Sequence, residues 1–155
     1  MLERYRQSLP LIDGAVEAVD RLAAVFPLTV ASSSNRPLID TVLATAGITG
    51  CFATTVSSEE VPRGKPSPDV YLEAARRLGT APAQCAAIED SEAGAIAASS
   101  AGMVTLLVPD WVAPSAAARR AAHHVFASLG EAHAFLSARL DVTGSAGLIR
   151  GGNGV

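Results

Sequence analysis

Short apolar runs alternate with helix-like apolar stripes along most of the chain. The runs have the length of buried strands and lie at residues 28–31, 54–57, 86–89 and 105–108, with a weaker one at 124–126. Between the runs, apolar residues recur at helical spacing. The stripes are Val16, Val19, Leu22 and Ala23; Leu38, Val42, Leu43 and Ala46; and Val70, Leu72, Ala75 and Leu78.

This alternation indicates an α/β protein with an open parallel sheet and helices on both faces, because strands that are apolar on both sides must be covered on both sides. A length of 155 residues suits one domain, which we place at residues 10–140. The last stretch, 141–155, contains the glycine-rich string GSAGLIRGGNGV. Its composition predicts a disordered tail.

Composition and charge argue against several classes of partner. The chain is 49% hydrophobic and 17% charged, with a formal net charge of -3. It has no basic stripe to neutralise a phosphate backbone or an anionic bilayer, so we expect neither nucleic acid nor membrane as a partner. Cys51 and Cys85 lack metal or redox spacing, and the charged start MLERYRQSLPLIDG lacks the apolar core of a signal peptide. We therefore expect a cytoplasmic protein with reduced thiols.

Polar residues follow three of the predicted strands. They are Ser32, Ser33, Ser34 and Asn35 after the first; Ser57, Ser58 and the string RGKPSPD after the second; and Glu89, Asp90 and Ser91 after the third. Ligands of open α/β sheets bind beyond the carboxyl ends of the strands, so these residues should converge. Serines after strands also cap helices, and a single loop lysine is often only solvated. Their joint placement is what indicates a site.

The strand-end residues have the chemistry of a site for phosphate and metal. Glu89 and Asp90 offer carboxylate oxygens that suit Mg²⁺, with one of the two as the direct ligand. The alternative is an acidic helix start, capped by Ser91 or Asp90. Lys65 has the charge to hold a phosphoryl group. Ser32, with the N–H groups of the turn after it, offers donors for phosphate oxygens.

Three strings together resemble the haloacid dehalogenase superfamily, in its branch of β-phosphoglucomutase-like and phosphoglycolate phosphatase-like enzymes. They are LTVASSSNRPLI, RGKPSPDVYLEAARRLG and CAAIEDSEAGAIAASSAGM. The resemblance implies that Ser32 and Lys65 are catalytic residues that bind the phosphoryl group. We add Ser33 and Asn35 to the phosphate-binding set. It further implies that Asp90 and Glu89 hold Mg²⁺, and that the fold is Rossmann-like.

The aspartate pair that the family carries on its first strand, DxDxT or DxDGT, is missing. In the family its first aspartate attacks phosphorus and its second is the general acid and base. No two aspartates here are separated by a single residue, and the early candidate Asp13 lies in a run that Pro10 interrupts. We expect an N-terminally truncated chain, with residues 1–9 the remnant of a cap helix. Without the first strand, the sheet should have a gap between the strands ending at Ala31 and Glu89, with unpaired backbone groups on both sides.

The resemblance implies Mg²⁺-dependent phosphoryl transfer on a small phosphorylated metabolite, with this chain inactive alone. Two alternatives remain open. The chain is a non-catalytic phosphate-binding or interaction fragment, or it is one half of a complementing pair in which another chain supplies the missing first strand.

Overall fold

The protein is described by a computed structural model that covers residues 11, 14–110, 112–143 and 147–152. The expected cap-helix remnant at residues 1–9 and the candidate Asp13 lie outside the described residues. The helices are α1 (Ala15–Ala23), α2 (Arg36–Thr45), α3 (Asp69–Leu78), α4 (Glu92–Ser100), α5 (Ala116–Ala121) and α6 (Leu129–Thr143). The strands are β1 (Leu28–Ser32), β2 (Thr54–Ser57), β3 (Cys85–Glu89), β4 (Val104–Leu107), β5 (His124–Val125) and β6 (Gly147–Gly152). Short 3₁₀ turns lie at Thr49–Cys51, Ser58–Glu60 and Pro82–Gln84.

The described strands form one parallel sheet in the order β2-β1-β6-β3-β4-β5. Each of the five runs expected from the sequence is a strand, shifted by no more than one residue at either end. Helices cover both faces, as strands that are apolar on both sides require. The prediction of an open α/β fold is therefore confirmed.

The core consists of two layers, one on each face of the sheet. One face packs against α1, α2 and α6, and the other packs against α3 and α4. The first layer includes Val19, Leu22, Leu28, Ile39, Leu43, Ile88, Leu106 and Leu136. The second includes Ala31, Val56, Val70, Tyr71, Ala74, Ala87, Ala97 and Met103. The abundant alanines of the second layer let α3 and α4 lie close to the sheet.

The centre of the sheet differs from the sequence-based expectation. Instead of a gap between β1 and β3, the structure has β6, which pairs in parallel with both of them. Residues 147–152, expected to be disordered, are therefore a central strand. The physical reason is that two facing strand edges present rows of unpaired N–H and C=O groups, and even a glycine-rich segment satisfies both rows by pairing.

Among the described helices, none has the length and apolar character needed to cross a bilayer.

Replacement of a fully buried strand residue tests the core. Leu106 on β4 has no exposed surface, so Leu106→Ala should lower the free energy of unfolding by about 2–5 kcal/mol through lost burial and a residual cavity. Val104 on the same strand is 36% exposed, and Val104→Ala should cost much less, about 0.5 kcal/mol. Urea unfolding followed by circular dichroism measures both. Equal losses would contradict this packing of β4.

Candidate functional site

The loops after β1 and β2 are joined by hydrogen bonds at the carboxyl edge of the sheet. Ser32 and Ser57 are paired in register at the ends of the two strands. The Ser57 hydroxyl donates to the Ser34 carbonyl at 2.8 Å, and the Ser58 hydroxyl donates to the Ser33 carbonyl at 2.8 Å. These bonds hold the two loops in one arrangement, so this part of the edge is formed in advance of any ligand.

The loop after β1 ends in a capped helix. The Ser34 N–H donates to the buried Ser32 hydroxyl at 3.1 Å, and the Asn35 side-chain oxygen accepts from the Leu38 N–H at 3.0 Å. Ser33 and Asn35 are exposed. The start of α2, with its backbone N–H groups, therefore lies directly after the strand that ends at Ser32. Such a helix start favours negative charge.

Lys65 and Glu89 form a buried ion pair at the end of β3. The Lys65 ammonium lies 2.5 Å from the Glu89 carboxylate, and the two side chains are only 1% and 0% exposed. Taking either charge out of water alone is costly, so each is tolerated because the other is present. The pair fixes the loop that carries Lys65 against the strand that carries the acids.

Tyr71 on α3 completes this buried cluster. Its hydroxyl donates to the same Glu89 oxygen, and the Lys65 ammonium lies 5.0 Å from the centre of its ring. Burial, and then the negative charge of Glu89, raise the pKa of Tyr71 well above its ordinary value, so the phenol remains a donor.

Sequence reasoning missed Tyr71, because the apolar stripe predicted for α3 ran through Leu72. In the structure Leu72 is exposed and Tyr71 is fully buried. The tyrosine stands within the string that contains Lys65. Its place in that string could have marked Tyr71 as a site residue, but a tyrosine on a helical face also fits a purely apolar role.

Gly94 lets the first turn of α4 lie against Glu89. A Cβ atom built at Gly94 would overlap the Glu89 carboxyl group. Ser91 caps the helix by accepting from the Gly94 N–H at 3.1 Å, and its hydroxyl lies 3.3 Å from the second Glu89 oxygen. The carboxylate therefore lies between Lys65 and Tyr71 on one side and a helix start on the other.

The donor set at the end of β3 fits Mg²⁺ only in part. Glu89 and Asp90 supply the hard oxygen atoms that this ion prefers. No group of three or more acidic, histidine or cysteine side chains gathers around a possible metal position within the described part of the chain. The Glu89 oxygens already accept from Lys65, Tyr71 and Ser91. Because the Glu89 carboxylate is held by these three protein donors, Asp90 stays the predicted direct ligand.

The structure brings the predicted residues to one edge in two groups. Ser32, Ser33 and Asn35 follow β1, whereas Glu89 and Asp90 follow β3, with Lys65 joined to Glu89. Between the two groups runs β6, so Ser32 and Glu89 end strands that are two positions apart, roughly 10 Å by the usual strand spacing. The roles of these residues stay predictions.

Comparison with known proteins settles the family. A model of haloacid dehalogenase-like hydrolases matches residues 2–102. The chain belongs to the haloacid dehalogenase (HAD)-like hydrolases. This agrees with the three strings that carry Ser32, Lys65 and the acid pair.

Relatives of this HAD-like chain include phosphatases. Hexitol phosphatase B of Escherichia coli (strain K12) is 38% identical over 105 residues, which cover 66% of this chain and 47% of that protein. A HAD family hydrolase of Deinococcus radiodurans R1, solved with bound phosphate and sodium, is 35% identical with a TM-score of 0.71, over 82% of this chain and 59% of that one. A HAD phosphatase of Thermococcus onnurineus, at 22% identity, shares the fold with a TM-score of 0.77, over 87% and 62%. The chain spans less than half the length of several curated relatives that it matches.

A Gly94→Ala substitution tests the close approach of α4 to Glu89. The added methyl group should displace the carboxylate and cost about 1–3 kcal/mol, despite the better helix propensity of alanine. Gly130 near the start of α6 has only an ordinary contact, at 3.7 Å, so Gly130→Ala should be neutral or stabilise by up to about 1 kcal/mol. Thermal and urea unfolding measure both variants. A neutral Gly94→Ala would show that Glu89 does not lie there.

A Tyr71→Phe substitution tests the buried hydrogen bond to Glu89. Loss of the donor should lower the free energy of unfolding by about 1–3 kcal/mol, whereas Leu72→Ala at the exposed neighbour should change it by about 0.5 kcal/mol.

The difference in free energy of unfolding between the unsubstituted chain and Tyr71→Phe should also depend on pH. Because the pKa of Tyr71 is raised on folding, its contribution is fully present below the unfolded pKa of about 10 and is lost as pH rises through the folded pKa. Urea unfolding of the unsubstituted chain and of Tyr71→Phe from pH 7 upward measures this difference in stability. A stability difference that grows above pH 10 would contradict the buried hydrogen bond from Tyr71 to Glu89.

Proposed function

We propose that this chain is the phosphoryl-binding core of a HAD-type phosphatase or phosphomutase that acts on a small phosphorylated metabolite. The observation that carries the proposal is the Lys65–Glu89 ion pair, held by Tyr71 at the same sheet edge as Ser32. The Lys65 ammonium is held in place at this edge, and together with a cation bound by the two acids it would neutralise the oxygens of a phosphoryl group. The phosphatases among the relatives support the same chemistry.

Each candidate has a role in this proposal. Ser32, with Ser33 and Asn35, offers hydroxyl, amide and backbone donors to the phosphate oxygens from the β1 side. Lys65 offers its ammonium from the β3 side and neutralises charge that develops as the phosphoryl group moves.

Asp90, supported by Glu89, would hold Mg²⁺, and the bound ion would neutralise phosphate oxygens. The partial fit of the donor set is consistent with an ion that keeps several water ligands. Glu89 then serves chiefly to orient Lys65, since its oxygens accept from Lys65, Tyr71 and Ser91.

Without an added nucleophile, we expect the chain to bind phosphate and not to turn over an ester. The sequence contains no pair of aspartates one residue apart, and β6 at the centre of the sheet contains no carboxylate. This same observation favours the second candidate function, a non-catalytic phosphate-binding module.

A complementing chain could supply the first strand only after β6 has left its place, because β1 and β3 are both paired with β6. A cytoplasmic location, and the lack of nucleic-acid and membrane partners, remain expectations from composition.

Titration with inorganic phosphate, with and without Mg²⁺, tests the proposed site by calorimetry. The double variant Lys65→Met/Glu89→Gln removes both buried charges together, so neither is left unpaired. Its affinity for phosphate should fall roughly 10- to 100-fold, as expected for loss of a hydrogen bond from a charged group worth about 1.5–3 kcal/mol. Hydrolysis of p-nitrophenyl phosphate by the unsubstituted chain should not exceed background.

Arg63→Met is the matched control, since Arg63 lies in the same loop but is exposed and paired with Asp69. Its affinity for phosphate should stay within about twofold of the parent, because exposed pairs contribute little. The proposal fails if the unsubstituted chain does not bind phosphate, or if the double variant binds it as tightly as Arg63→Met does.

A further inference from the structure

The central strand β6 ends at the candidate site. It runs parallel to β1 and β3 and lies between them, so its carboxyl end reaches the same edge as Ser32 and Glu89. Its last two residues are Gly151 and Gly152. The strand in the best position to present a side chain between the two groups of site residues therefore ends in two residues that have none.

The register of β6 identifies which of these two positions faces the buried cluster. Gly151 is paired with Ala31, which packs in the same core layer as Tyr71. On the other side, Arg150 is paired with Ile88, so position 151 lies level with Glu89. Laterally paired residues of parallel strands share a face of the sheet, and successive residues alternate between faces. Position 151 is therefore on the Lys65 face, and position 152 is on the opposite face.

We propose that β6, the central strand formed by residues 147–152, completes this phosphate site, and that position 151 is where its nucleophilic acid would stand. Glycine at that position leaves a site that binds a phosphoryl group without accepting it. The assignment of position 151 rests on the proposed function, whereas the placement of the strand does not.

Hydrogen exchange of the full chain, followed by mass spectrometry, tests the placement of the strand. Amides of residues 148–152 should exchange as slowly as those of β1 and β3, because a strand paired on both sides opens only with the sheet. Exchange of this segment at the rate of an unstructured peptide would overturn the proposal. This measurement needs no substitution and no ligand.

Introduction of an aspartate tests the assignment of position 151. The variant Gly151→Asp, given p-nitrophenyl phosphate and Mg²⁺, should become phosphorylated. A carboxylate oxygen at position 151 attacks phosphorus, the bond from phosphorus to the phenolic oxygen breaks, and p-nitrophenolate leaves with the bonding electrons. Intact mass should increase by one phosphoryl group on up to one site per chain. Hydroxylamine should remove the group as an acyl phosphate.

Two controls separate the possible outcomes. Gly151→Asn has nearly the same shape without a nucleophile, and Gly152→Asp places the same charge on the opposite face, so neither should be phosphorylated. Phosphorylation of Gly152→Asp alone would overturn the register. A third outcome is that residues 148–152 exchange slowly and the chain binds phosphate, but no variant becomes phosphorylated. This would overturn the assignment of position 151 and leave the proposed function standing. Failure of the unsubstituted chain to bind phosphate would instead count against the proposed function. If Gly151→Asp does not fold, the exchange measurement still decides the placement.

Discussion

The buried carboxylate of Glu89 is the group around which the site is organised. It has no exposed side-chain surface, so its charge must be balanced by the protein. Lys65 balances the charge from a loop, Tyr71 donates to it from α3, and the start of α4 approaches it because Gly94 has no side chain. One acid thus joins a strand, a loop and two helices. A buried network of this kind is strong when every member has a partner, and it fixes the position of each of them.

The second constraint is the pairing of the sheet. Two parallel strands separated by one strand width expose backbone groups that water cannot fully satisfy inside a core, so an occupant is required. The occupant is β6, a segment with little side-chain volume and no acid. Glycine residues weaken a strand, but their backbone groups still form the hydrogen bonds of the ladder, and β6 pairs on both sides. The residues of β6, Gly147–Gly152, therefore bring no nucleophilic side chain to the edge between Ser32 and Glu89.

Family and activity rest on different observations. Membership of the HAD-like hydrolases follows from a match to residues 2–102, and the fold is shared with solved members. Activity depends on the particular side chains at a site, and the chain spans less than half the length of several curated relatives that it matches. A fold supports many functions, and the residues at the site decide among them. Under the proposed function, those residues would bind a phosphoryl group, whereas β6 supplies no acid to accept it.

The amino-acid sequence by itself determined the alternation of strands and helices, because hydrophobic period is a local property that each segment carries alone. It also predicted Lys65, Glu89 and Asp90 as site residues, and the structure brings Lys65 and Glu89 into contact. Only the tertiary structure decided that Tyr71 rather than Leu72 is buried, since that choice depends on Glu89, which is 18 residues away in sequence. The place of residues 147–152 was likewise beyond local reasoning. A glycine-rich hexapeptide has no hydrophobic period, and what makes it a strand is the pair of open edges on β1 and β3, more than fifty residues distant along the chain.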